Sequence, residues 1–159
     1  MFKISLLIFF LFILSKNMPC QNDVKTDTVL LLKTWEKTRL LLEEKDTIKL
    51  REVLLDSIHC ELCGFRNDTV VDLDKPISYF FKNGLNTLTS YKRLWTKIRK
   101  DKPELFITVF FKGNEKRYSI LYTTYLKGEL GPKHGGCAAV FEYVLRDGGL
   151  KLFYISTIP

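Results

Sequence analysis

The sequence predicts an α+β domain: N-terminal helices packed on an antiparallel sheet of about four to five strands. Three observations predict it. Apolar residues recur at three- and four-residue steps through the first two thirds of the chain. Runs rich in β-branched and aromatic residues fill the last third. Turn-forming stretches, "KGNEK" and "RDGG", split those runs into two hairpins.

The helical part is read in four pieces. "DTVLLLKTWEKTRLLLEEKD" (27–46) carries Val29, Leu32, Trp35 or Glu36, and Leu40 at helical spacing, with Asp27 as its N-cap. "DTIKLREVLLDSI" (46–58) reads as a shorter helix capped by Asp46, with Ile48, Leu50, Val53, Leu54 and Ile58 as its apolar face. "KPISYFFKNGL" (75–85) is a brief helix with Pro76 early and Gly84 near its stop. "LNTLTSYKRLWTKIRKDKP" (85–103) is amphipathic, stacking Leu88, Tyr91, Trp95 and Ile98 on one face until Pro103 stops it.

The stranded part follows. "ELFITVFFKGNEKRYSILYTTYL" and "AAVFEYVLRDGGLKLFYIS" are two hairpins, the second turning at Asp147-Gly148. "LFITVFF" is apolar at both alternating sets and is expected to be covered on both faces. "KGELGPKHGG" connects the hairpins as a glycine-rich surface segment.

Ahead of all this, Lys3 precedes an apolar run from Ile4 to Leu14, interrupted by Ser5 alone. The run is shorter than the roughly 20 residues a bilayer span needs, so residues 1–20 are expected to be a secretory signal peptide. Cys20 raises the alternative of a lipid anchor, although "NMP" lacks the small residue such processing prefers. Residues 21–159 would then form a single α+β domain, exported to a periplasm or secreted, without a transmembrane anchor. The composition, 46% hydrophobic and 13% aromatic, suits a packed core and excludes a disordered chain.

The net charge of +7 falls to +5 once Lys3 and Lys16 leave with the leader. The basic run "YKRLWTKIRKDK" places its aromatics on the buried side at helical spacing, so nucleic acid is not expected as a partner. Asn67-Asp68-Thr69 is an acceptor pattern for N-glycosylation in a eukaryotic source.

The cysteines invite a metal reading. Cys60, Cys63, His134 and Cys137 stand as "CELC" and "HGGC", two short-spaced pairs of the donors tetrahedral zinc takes. More than seventy residues separate the pairs, and export favours oxidised thiols. The preferred reading is structural: one disulfide from Cys60 or Cys63 to Cys137, or buried thiols. A bond between Cys60 and Cys63 would need a turn there, since residues three apart on a strand face opposite sides. A redox pair would want the first cysteine at a helix N-terminus, and here the pair follows a helix. No cofactor is expected.

Helices first, a short strand after the second, another helix and then an antiparallel meander resembles the nuclear-transport-factor-2-like superfamily over residues 25–159, as does the cadence "DTIKLREVLLDSI". The resemblance implies a curved, cone-like sheet with an open mouth, used for catalysis in some members and for binding or dimer formation in others. It implies a cavity that Tyr118, Tyr122, His134, Tyr143 and Tyr154 could line as ligand-binding residues. No catalytic motif of that family aligns residue by residue, so no catalytic residue is assigned.

Motif absence favours a non-enzymatic binding domain whose cleft takes a protein partner or a small apolar ligand, with a homodimer also open. The alternatives are a small isomerase-, dehydratase- or hydrolase-like enzyme using Asp72 or Asp74 with a pocket tyrosine, and a periplasmic inhibitor or immunity-type protein. A carboxylate or His134 facing the cleft with a polar partner would favour the enzyme.

Overall fold

A computed structural model describes residues 21–63, 74–110, 115–129, 131 and 135–158, with the side chains of residues 21–24, 109 and 110 left aside. The expected leader, Cys20, the glycosylation pattern at 67–69, Asp72 and His134 lie outside the described residues. The chain divides into two compact units, residues 1–30 and 31–159. Described residues of the first unit, 21–30, are the opening turns of helix α1 (Gln21–Glu44).

In the second unit, α1 buries Leu31, Trp35, Thr38 and Leu42, spaced four, three and four residues apart, with Leu41 beside them. The expected stripe through Leu32 and Leu40 is therefore corrected, because both are exposed. The triplets at 30–32 and 40–42 offer leucine in every register; the indole of Trp35, fully buried, decides which leucines turn inward. Lys45 then takes a left-handed conformation (φ 56°) and ends the helix.

Asp46 caps α2 (Thr47–Leu50), its carboxylate accepting the Lys49 N–H at 3.0 Å. The helix stops after one turn, against the expectation that it runs to residue 58. Leu54, Ile58 and Cys60 are instead buried positions of strand β1 (Leu54–Cys60), and Ile48 is 81% exposed. The even spacing of those three residues is a strand period, and pairing beside β6 (Gly149–Ile158) outweighs local helix preference.

A 3-10 turn (Glu61–Cys63) follows β1, and β2 (Asp74–Pro76) pairs antiparallel with β1. Pro76 opens a helical run made of α3 (Ile77–Tyr79), a π-turn (Phe80–Gly84) and α4 (Leu85–Ser90). Gly84 keeps helical angles and does not stop it, so the expected boundary at 85 is corrected. The break comes at Tyr91 (ψ 81°), which divides the predicted 85–103 helix into α4 and α5 (Lys92–Lys100). Tyr91 is 43% exposed, while Leu88, Leu94, Trp95 and Ile98 are buried. The Trp95 indole N–H donates to the Leu88 carbonyl at 2.9 Å, satisfying a helix-end acceptor across the break.

Strands β3 (Glu104–Phe110), β4 (Glu115–Tyr125), β5 (Cys137–Arg146) and β6 form the two expected hairpins. Asp147 and Gly148 both have positive φ (52° and 75°), the angles a two-residue turn needs to match strand twist. Among the described residues the sheet has six strands in the order β2-β1-β6-β5-β4-β3, and β1 runs parallel to β6. The four to five strands expected become six: the short strand expected after the second helix is β1, which begins earlier, at Leu54, and β2 falls where a helix start was expected. Phe106, 50% exposed on the outermost strand β3, corrects the expectation that this strand is covered on both faces. Among the described residues, no helix is long and apolar enough to cross a membrane.

One apolar cluster joins the helices to the sheet: Trp35, Leu42, Phe80 and Trp95 pack with Ile120, Phe141, Leu152 and Ile155. Each such side chain, fully buried, contributes about 1.5–3 kcal/mol.

Candidate ligand-binding cleft

The chain places its cleft at one end of the sheet. The pairing of β4 with β5 shifts register between Thr123 and Tyr125, leaving Tyr125 opposite Cys137. The Thr124 hydroxyl donates to the Cys137 carbonyl at 2.9 Å and holds the irregularity. Gly136 (φ 101°) precedes Cys137, and a Cβ there would stand 3.0 Å from the Tyr125 carbonyl oxygen. The strand start can come this close only with glycine.

Two cavities meet at Tyr125 and Cys137. The first, about 150 Å³, lies between the 3-10 turn, the start of α5 and the ends of β4, β5 and β6; Leu62, Leu94, Ala139 and Tyr91 line it. The second, about 240 Å³ and more open, is bordered by Leu121, Ala138, Leu126 and Ile158. Neighbouring strand residues point to opposite faces, so Ala139 and Ala138 assign the two cavities to opposite sides of the sheet. Cys137, partly buried and unbonded, borders both.

Arg93 borders the first cavity. Its guanidinium lies 4.1 Å from the Tyr125 ring centroid, its Nε donates to the Thr124 carbonyl, and its Nη2 pairs with Glu129. Glu129 also accepts the Leu126 N–H at 2.8 Å. That N–H first, and Arg93 second, lower the Glu129 pKa. A lowered pKa makes this carboxylate a weaker base than an ordinary glutamate.

Of the tyrosines expected to line a cavity, Tyr118 stands opposite Tyr143 with Tyr122 on the same face, but none of them borders either cavity. Tyr118, Tyr122 and Tyr143 are buried in the interior. The Tyr122 hydroxyl accepts the Trp35 indole N–H at 3.0 Å, and burial raises its pKa. Tyr143 is wholly buried and its hydroxyl has no hydrogen-bond partner among the described residues. Burial raises its pKa strongly, and the nearby Thr38 hydroxyl offsets part of that. Tyr154 stands opposite His59 on the neighbouring strand, its ring stacked at 4.4 Å and 16° on the imidazole.

His59, which the sequence offers no Ser or Cys partner in a nucleophile motif, sits between two carboxylates. Its Nδ1 lies 3.0 Å from Asp74 Oδ1, and its Nε2 lies 3.9 Å from Glu61 Oε1. Asp74, named from sequence as a possible buried acid, has a side chain 72% exposed. Neither residue borders the cavities, and no nucleophile accompanies them among the hydrogen bonds of His59.

Cys60 and Cys63 are bonded to each other, and Cys137 is free. The expected bridge to Cys137 is thus corrected. The 3-10 turn brings the two Cα atoms to 5.4 Å, inside disulfide range, where a continuous strand could not. The zinc set fails with it, since Cys60 and Cys63 are not thiolates when bonded together. Among the described residues, no group of three or more His, Cys, Asp or Glu could hold a metal ion.

Leu62, Tyr91 and Arg93, and Glu129 that pairs with Arg93, were not legible as parts of this site. Leu62 was hidden between two cysteines, and Arg93 looked like one more cation on a solvated helix. The register shift that gathers them is a tertiary event; "HGGC" beside a tyrosine-rich strand was its one local signal. No family model, no curated protein and no solved structure matches this chain.

Proposed function

We propose that the protein is an exported, non-enzymatic binding domain that holds a small apolar ligand, or a compact apolar group of a larger one, in the cleft between the 3-10 turn, α5 and the ends of β4–β6. One observation carries this reading: the 150 Å³ cavity, walled by Leu62, Leu94 and Ala139. An apolar cavity of about that volume accepts a benzene-sized molecule. Helices over one face of a sheet that ends in such a cleft is what a cone-like binding domain requires. The leader-like run before residue 15 supports export, and a buried disulfide is at home in an oxidising compartment.

The enzymatic alternative would rest on His59 and Asp74. That pair borders neither of the two cavities that meet at Cys137.

Titration of the 15N-labelled protein with benzyl alcohol tests the reading. Amide shifts are expected at Leu62, Ala139 and Thr157, and Ala139→Leu, which fills the cavity, should abolish them. Shifts absent in the folded wild-type protein, or unchanged in Ala139→Leu, would reject the cleft as a binding site.

A further inference from the structure

We infer that the cleft selects apolar carboxylates, with Arg93 receiving the ligand's carboxylate and Glu129 occupying that place when the cleft is empty; this rests on the binding reading above. The Arg93 Nε is committed to Thr124 and its Nη2 to Glu129, whereas Nη1 has no partner among the described residues. The ring of Tyr125 beneath the guanidinium fixes its plane. Arg93 thus borders an apolar cavity with its side chain partly exposed, and planar guanidinium forks match carboxylate geometry.

Glu129 supplies the second observation. It reaches Arg93 from the turn after β4, where Glu129 N–H bonds to the Leu126 carbonyl and Gly131 N–H to the Gly128 carbonyl. The Leu126 N–H and Arg93 together bind one carboxylate from two sides. The rim is therefore already built around a carboxylate, and the protein's own side chain fills it. A ligand with a ring-sized apolar body in the cavity would bring its carboxylate to the same fork. It would bind Nη1 beside Glu129 or displace Glu129 altogether.

The test compares benzoate, benzyl alcohol and acetate by amide-shift titration of the wild-type, Glu129→Gln and Arg93→Gln proteins. Benzoate should bind more tightly than benzyl alcohol, and acetate far more weakly than either. Glu129→Gln should tighten benzoate by about fivefold, the scale of an exposed charge pair, and leave benzyl alcohol unchanged. Arg93→Gln should bring benzoate down to the level of benzyl alcohol. If Arg93→Gln does not fold, the Glu129→Gln comparison decides alone. Benzyl alcohol binding with no gain for benzoate, or no response to Glu129→Gln, would overturn the carboxylate preference and leave the apolar cleft standing. Acetate binding as well as benzoate would overturn it also, because the cavity would then play no part. No binding by benzyl alcohol or benzoate would reject the cleft itself.

Discussion

Trp35 on the first helix donates its indole N–H to the hydroxyl of Tyr122, 87 residues later on β4, at 3.0 Å. Both side chains are buried, and Trp35 packs at 4.7 Å against Phe141 on the next strand. The bond satisfies a donor that water cannot reach. Tyr122→Phe would leave that indole N–H unpaired and should cost about 1–3 kcal/mol of stability. Urea unfolding of the two proteins measures the difference; a loss below about 0.5 kcal/mol would show that the bond carries no net stabilisation.

Tyr143 makes the opposite case on the neighbouring strand. Its hydroxyl is buried and has no hydrogen-bond partner among the described residues, so the native state already bears the desolvation of that group. Tyr143→Phe removes the polar atom and keeps the ring, and is expected to leave stability unchanged or raise it by up to about 1 kcal/mol. A loss of more than 1 kcal/mol in the same unfolding measurement would mean that the hydroxyl has a partner in solution.

The contrast between these tyrosines shows what sequence patterning conveys. Alternation along β4 and β5 identifies Tyr118, Tyr122 and Tyr143 as residues of one face, and the structure buries all three. It does not distinguish a face turned to a cavity from a face sealed by Trp35. The α+β class and both hairpins were legible because strand period and turn residues are local signals. The early start of β1 was not, since Leu54 and Ile58 fit helical spacing as well as strand spacing, and only β6 beside them breaks the tie. Arg93 and Glu129 were beyond reach for a similar reason: 36 residues apart, they meet through the fold.

The Cys60–Cys63 bond closes a very short loop, and both cysteines are buried. The chain-entropy argument gives a loop of this length about 2 kcal/mol. A Cys60→Ala/Cys63→Ala protein should be less stable by about that amount. Alkylation of the folded, unreduced protein followed by peptide mapping should label Cys137, which is partly exposed, and neither Cys60 nor Cys63. Label on Cys60 or Cys63 without prior reduction would contradict the pairing.

Two glycines near strand starts should respond differently to alanine. At Gly136, φ is 101° and an added Cβ meets the Tyr125 carbonyl oxygen at 3.0 Å; at Gly149 the Cβ would meet nothing within 4 Å. Gly136→Ala is expected to cost about 1–3 kcal/mol and to disturb the cleft, whereas Gly149→Ala should fall within about 0.5 kcal/mol of wild type. Equal stabilities for the two variants would show that the Tyr125–Cys137 approach relaxes at little cost.

The Glu129 contact gives a pH dependence whose sign follows from its pKa, which is lowered from the ordinary 4.5 by the Leu126 N–H and then by Arg93. A carboxyl with a depressed folded-state pKa stabilises its contacts fully above the unfolded value and loses them as pH falls through the folded one. The turn after β4 should therefore stay closed at neutral pH and loosen only in acid, below 4.5. The Leu126 amide, which donates to Glu129 at 2.8 Å, reports this directly in an NMR titration. Its midpoint is expected below 4.5 in the wild-type protein and higher in Arg93→Gln, where one of the two causes is gone. A wild-type midpoint at or above 4.5 would mean that the carboxylate is not held by these donors.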